Sequence, residues 1–80
     1  MIQNYATDLA SQMGILLSRV SFIDGKLLGC RDCHLLQLYA HGQMASAIIF
    51  QQDLEYLQKG ITSDRLENRL RTALSQLQTQ

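Results

Sequence analysis

Apolar residues recur along the first quarter of the chain at helical spacing. Tyr5, Leu9, Met13, Leu16 and Val20 fall three and four apart, the stripe that an amphipathic helix turns toward a core. The pattern predicts a helix over residues 4–20 with Gly14 inside it, at a cost of about 1 kcal/mol relative to alanine. Leu35, Leu36, Leu38 and Tyr39 follow Asp32, a residue suited to an N-cap. A second helix is expected there, over 32–41, closed by Gly42. A third is expected over 43–59, carrying Met44, Ala47, Ile48, Phe50, Leu54 and Leu57 and stopping at Gly60. Its first half is apolar on nearly every side, which requires cover on more than one face. The clearest periodicity comes last. Leu66, Leu70, Ala73 and Leu77 follow at steps of four, three and four, the seam of a short coiled coil. Thr62-Ser63-Asp64 opens that helix, and Glu67 stands three residues after Asp64 as in a capping box.

Between the first two segments lies Phe22-Ile23-Asp24-Gly25-Lys26-Leu27. Asp-Gly between apolar residues is a two-residue hairpin signal. It also turns one helix into the next, with glycine in the left-handed position, and the helical neighbours favour that reading. No proline interrupts any segment. The expected fold is all-α: a single helical domain over residues 1–80, with about four helices in short hairpins or a small bundle.

Composition narrows the class of function. The chain has 80 residues, 46% hydrophobic and 18% charged, too apolar for intrinsic disorder. A chain this short buries only ~60–65% of the surface its unfolded form exposes, so a partner that completes the core is expected. Seven basic and seven acidic residues give a net charge of zero. That balance lacks the basic excess of a nucleic-acid binder and leaves self-association unopposed. Ala47-Ile48-Ile49-Phe50 is a short apolar run, against the ~20 residues of a membrane span. The opening residues lack the basic and apolar blocks of a signal peptide. A cytoplasmic location is expected, with neither nucleic acid nor membrane as partner.

Cys30-Arg31-Asp32-Cys33-His34 carries the most suggestive chemistry. Cys-x-x-Cys-His is the form of covalent haem attachment, a reaction that usually follows export. A zinc site could draw on Cys30, Cys33, His34 and His41, but one helix cannot easily wrap four ligands tetrahedrally. A thioredoxin-like pair would need a surrounding βαβ pattern. Two small residues packed as hydrophobes at the start of an apolar helix is the reading adopted, so neither metal nor cofactor is expected. Arg65, Arg69 and Arg71 form a basic group that Asp64 and Glu67 interleave, as on a solvated helix face. No nucleophile elbow or phosphate-cradling loop occurs, and an enzymatic role is not expected.

Residues 35–57, from Leu35-Leu36-Gln37-Leu38-Tyr39 to Asp53-Leu54-Glu55-Tyr56-Leu57, resemble one tetratricopeptide-type helical pair, without the proline usual after its second helix. Over residues 9–50 the order of Leu9-Ala10-Ser11-Gln12, Asp24-Gly25-Lys26-Leu27 and that pair is similar to the small tetratricopeptide-like chaperones of type III secretion needle subunits. The resemblance implies a cytoplasmic chaperone or adaptor in a heteromeric complex. Its partners would be a needle subunit, kept monomeric before export by shelter of its amphipathic helix, and a second co-chaperone. Under that alignment Leu36 and Tyr39 point into a concave groove, while Leu35, Leu38, Ala47 and Ile48 are core. Leu36, Tyr39, Ile49, Phe50, Leu66, Leu70 and Leu77 are the expected partner-binding residues. The alternative is a self-associating helical structural or regulatory protein in which Leu66, Leu70 and Leu77 pair across a symmetric bundle. RNA binding and a Cys/His zinc site are its minor variants.

Overall fold

A helix does form at the start of the chain, but it ends sooner than the apolar stripe suggests. In the computed structural model, which describes residues 1–78, helix α1 spans Ile2–Gln12. Gly14 takes φ +76°, and the Ile15 N–H turns back to the Ala10 carbonyl at 2.8 Å, a helix closure that favours glycine. Gly14 therefore terminates the helix rather than interrupting it, and Ile15 drops into the core.

The middle of the chain corrects the all-α expectation. Arg19–Ile23 is strand β1, Cys33–Ala40 is β2 and Gln43–Phe50 is β3. Helix α2 covers Gln51–Gln58 and helix α3 covers Asp64–Ser75, so the domain is mixed α and β. The segment that resembles a tetratricopeptide helical pair is instead a β-hairpin followed by α2, and the repeat-like fold is ruled out with it. The hairpin turn is His41-Gly42, at φ 55° and 73°. Two consecutive left-handed residues make the tight turn whose twist matches that of the flanking strands. Gly42 thus joins two strands where a helix end was expected.

Asp24-Gly25 serves neither expected role. The Asp24 side chain accepts the Lys26 N–H at 2.9 Å and starts a 3-10 turn over Gly25–Leu28. Glycine is required at position 25 because a Cβ there would overlap the Cys33 carbonyl. The expected α3 is present, with Ser63 as its cap: the Ser63 hydroxyl accepts the Leu66 N–H at 3.1 Å.

The strands form an antiparallel meander in the order β1-β2-β3. Phe22, Leu36 and Ala47 lie side by side across it, as do Val20, Leu38 and Ala45. These positions, with His34, Ala40 and Ile49, form the inner face, and on β2 and β3 that face is buried from His34 to Ile49. Ile2, Ala6, Leu9 and Ala10 of α1 and Leu66, Leu70, Ala73 and Leu74 of α3 close over it, giving two layers around one core. Among the described residues no helix is long and apolar enough to cross a membrane.

Candidate interaction surface

Side chains alternate across a strand, so each buried position leaves a neighbour on the opposite face. The outer positions of β2 and β3 are Cys33, Leu35, Gln37, Tyr39, Met44, Ser46, Ile48 and Phe50, and only Gln37 and Ser46 among them are polar. The register lines them up in rows. Ile23, Leu35 and Ile48 run straight across the three strands, as do Arg19, Tyr39 and Met44. Between the two rows runs a polar one, Ser21, Gln37 and Ser46. Met44 is 49% exposed, Ile48 51% and Phe50 42%. A sheet face that meets water normally reads as the polar half of an alternating pattern. This one is apolar and open.

Arg19 is the face's single charged residue, and its guanidinium sits 5.3 Å from the centre of the Tyr39 ring, within range of a cation–π contact. At the far corner Arg69 lies over the Phe50 ring at 4.7 Å and reaches the Asp53 carboxylate at 3.1 Å. Asp53 is buried and also accepts the Phe50 N–H at 3.1 Å. One carboxylate therefore fastens the end of β3, the start of α2 and the side of α3.

The seven residues expected to bind a partner divide between the two faces. Leu36 and Ile49 are enclosed on the inner face, and Leu66, Leu70 and Leu77 are enclosed against it. Tyr39 and Phe50 stand on the outer face. Ile23, Leu35, Met44 and Ile48 belong to the same surface. Leu35 and Ile48, expected as core, are outer because the segment is a hairpin whose side chains alternate, while Leu38 and Ala47 are buried. Period-two counting from Leu35 would have collected Leu35, Gln37 and Tyr39 together.

The Cys-x-x-Cys-His string is committed to structure. Cys30 and Cys33 do not pack as two thiols at a helix start, as expected, but form a disulfide at the entry to strand β2. The buried His34 ring accepts the Gly25 N–H at Nδ1, 3.0 Å, and donates from Nε2 to Gln51 Oε1, 2.7 Å. Asp24, 3.6 Å from Nδ1, is a weaker neighbour there because the ring's lone pair already holds the Gly25 hydrogen. Both ring nitrogens are thus spoken for, and Phe22 packs against the ring at 5.1 Å between centroids. His41 lies at the other end of β2, about 20 Å away at the rise of a strand. The four ligands considered for zinc are therefore not gathered. Among the described residues no group of three or more His, Cys, Asp or Glu side chains is placed to hold a metal.

No family model, curated protein or solved structure matches this chain.

Two hollows flank α2 and α3. One, about 510 Å³, is edged by Asp32, Gln52, Glu55 and Arg65 and has no nucleophile beside a base. The other, about 610 Å³, runs between β3 and α3. Of the arginines expected as a basic group, Arg69 is engaged with Asp53 and Arg71 donates to Glu67 at 3.0 Å, while Arg65 lines the first hollow.

Proposed function

We propose that this protein is a polypeptide-binding module, without catalytic activity, that shelters the apolar stripe of a partner's amphipathic helix on the outer face of its sheet. One observation carries the reading: on the face opposite the buried one, Met44, Ile48 and Phe50 stand exposed and Ile23 and Leu35 only half-buried, in rows that the register lines up. Helices α1 and α3 already use the opposite side of the same strands in this way, so a helix laid on the outer face would complete a three-layer arrangement. Its anchors would recur at i, i+3, i+4 and i+7. The polar row of Ser21, Gln37 and Ser46 would favour hydrogen-bonding groups between them, and Arg19 an acidic residue at one rim.

The likeness to needle-subunit chaperones survives only as a guide to partner class, a subunit whose helix polymerises unless covered. The tetratricopeptide groove it implied is absent from the fold. The reading is tested by capture from the native cell with Leu35→Glu as a control bait. The parent chain should retain a helical partner that the variant loses while its own melting stays cooperative. Equal recovery by both baits, or an apolar probe dye that ignores the parent chain, would remove the proposal.

A further inference from the structure

The free edge of β3 presents a second surface, distinct from the sheet face. A two-residue turn makes Ala40 and Gln43 the closing hydrogen-bonded pair. Leu38–Ala45, Leu36–Ala47 and His34–Ile49 follow as the bonded pairs of the ladder. The backbone N–H and C=O groups of Met44, Ser46, Ile48 and Phe50 must then point away from β2. The Phe50 N–H bears this out, since it is taken by the Asp53 carboxylate rather than by β2. Asp53 thereby closes one end of the edge and leaves the outward groups at 44, 46 and 48 open.

Natural sheets protect such edges with charge, proline or brevity. The eight residues Gln-Met-Ala-Ser-Ala-Ile-Ile-Phe of β3 use none of these, whereas the opposite edge strand, β1, is five residues long and carries Arg19. The hollow beside β3 touches both Ser46 and Ala47. Those side chains point to opposite faces, so the hollow lies against the strand's edge, with α3 along its other side. A further strand paired with this edge would lie in that hollow.

We propose that this strand is β3 of a second copy, paired antiparallel about a two-fold axis at Ser46, so that two protomers share one six-stranded sheet. The edge is self-complementary in that register. Ser46 meets Ser46, and Met44 meets Ile48 twice, each pair through outward-pointing backbone groups. Hydroxyl pairs and apolar pairs directly opposite are favourable cross-strand neighbours. A two-fold axis brings any charge near it close to its own copy, which penalises charge, and β3 has none. The one charge lining the hollow, Arg69, is balanced by Asp53 within its own protomer. Asn68 and Thr72 of α3 and Gln76 at its C-cap, four apart, line the far side of the hollow. The two-fold brings this strip beside its copy, and amide and hydroxyl groups can both donate and accept. The Ile23–Leu35–Ile48 row continues across the axis into Met44 and Tyr39 of the second copy.

Sedimentation velocity of the full chain at micromolar concentrations should give twice the chain mass. Ser46→Pro removes an outward N–H that β2 does not use, and Ser46→Lys opposes two cations on the axis. Each should raise the dimer dissociation constant roughly tenfold or more. Ser46→Cys should cross-link two chains on mild oxidation, because directly opposed residues lie within disulfide reach. Leu35→Glu, on the central strand, should stay dimeric while losing a helical partner, so the edge and the face fail separately. A parent chain that sediments as a monomer at ~100 µM, or a dimer that withstands both Ser46→Pro and Ser46→Lys with no Ser46→Cys cross-link, overturns the assignment. Far-UV circular dichroism of each variant separates loss of pairing from loss of fold.

Discussion

The two faces of one sheet are built from the same strands, in the same register, with side chains of similar hydrophobicity, yet only one is packed. On the inner face, Leu36 and Leu38 are buried in one cluster with residues of α1 and α3. One residue along, Leu35 and Tyr39 are only half-buried, and Ile48 and Phe50 are exposed. Apolar character alone therefore does not locate the core. What locates it is which face the helices can reach from their connections. The face they leave open keeps an apolar surface that water disfavours, at roughly 25 cal/mol for each Å² left uncovered.

The largest expected effect separates the faces by stability. Leu36→Ala empties a fully enclosed site between sheet and helices and should cost about 2–5 kcal/mol. Ile48→Ser, on the opposite face of the adjacent strand, should shift stability by less than about 1 kcal/mol. Urea denaturation of the isolated protomer, in the Ser46→Lys background, measures both. Equal losses would mean that the outer face is packed in solution and that the contrast between the faces is false.

A smaller effect tests the corner where the faces meet. Asp53 holds the Phe50 N–H and the Arg69 guanidinium, each at 3.1 Å, and it is buried while Arg69 is partly exposed. Asp53→Ala strands two donors beside an apolar ring, and should destabilise by about 2–3 kcal/mol. It also frees the Phe50 N–H, and amide exchange there should speed up relative to Ile49. A slow Phe50 amide in the variant would show that something other than Asp53 guards that end of the edge.

The same contrast explains how much was legible from residues alone. The helix at Asp64–Ser75 stood out because one of its stripes is apolar and the rest polar, so a single period fits. Gly60, at φ 77° just past the end of α2, stops that helix as its residue type predicts. Strands β2 and β3 are hidden because both of their faces are largely apolar. A half-buried strand announces itself by alternation, and Leu35-Leu36, Leu38-Tyr39 and Ile48-Ile49 erase it by placing apolar residues on successive, opposite faces. With alternation gone, spacings of three and four can be picked from the same letters. Two local signals remained. His41-Gly42 can take a doubly left-handed turn, and Ile48-Ile49-Phe50 favours a pleated surface. Of the expected binding residues, Tyr39 and Phe50 reach the open face for a reason that no helical repeat supplies: both occupy outer positions of the hairpin.

The smallest expected effect lies on the helical side and sharpens what packed means there. The Tyr5 hydroxyl on α1 is enclosed without a hydrogen-bond partner, facing Glu67, Arg71 and Asp64 of α3. Burial raises its ionisation above the ordinary value of 10.0, and the Glu67 and Asp64 carboxylates add to the rise while Arg71 opposes it. The folded protein therefore holds the proton more tightly than the unfolded chain does. Stability from this group is complete below the unfolded value and declines as pH climbs through the folded one. Tyr5→Phe removes both the unpartnered hydroxyl and the titration. It should be neutral or stabilising by up to about 1 kcal/mol at pH 7, and its advantage over the parent should widen above pH 10. Denaturant midpoints of the two proteins at pH 7 and across the alkaline range measure the difference directly. A variant that is weaker at neutral pH, or an advantage that shrinks as pH rises, would mean that the hydroxyl has a partner in solution and that the α1–α3 seam is more polar than its packing indicates.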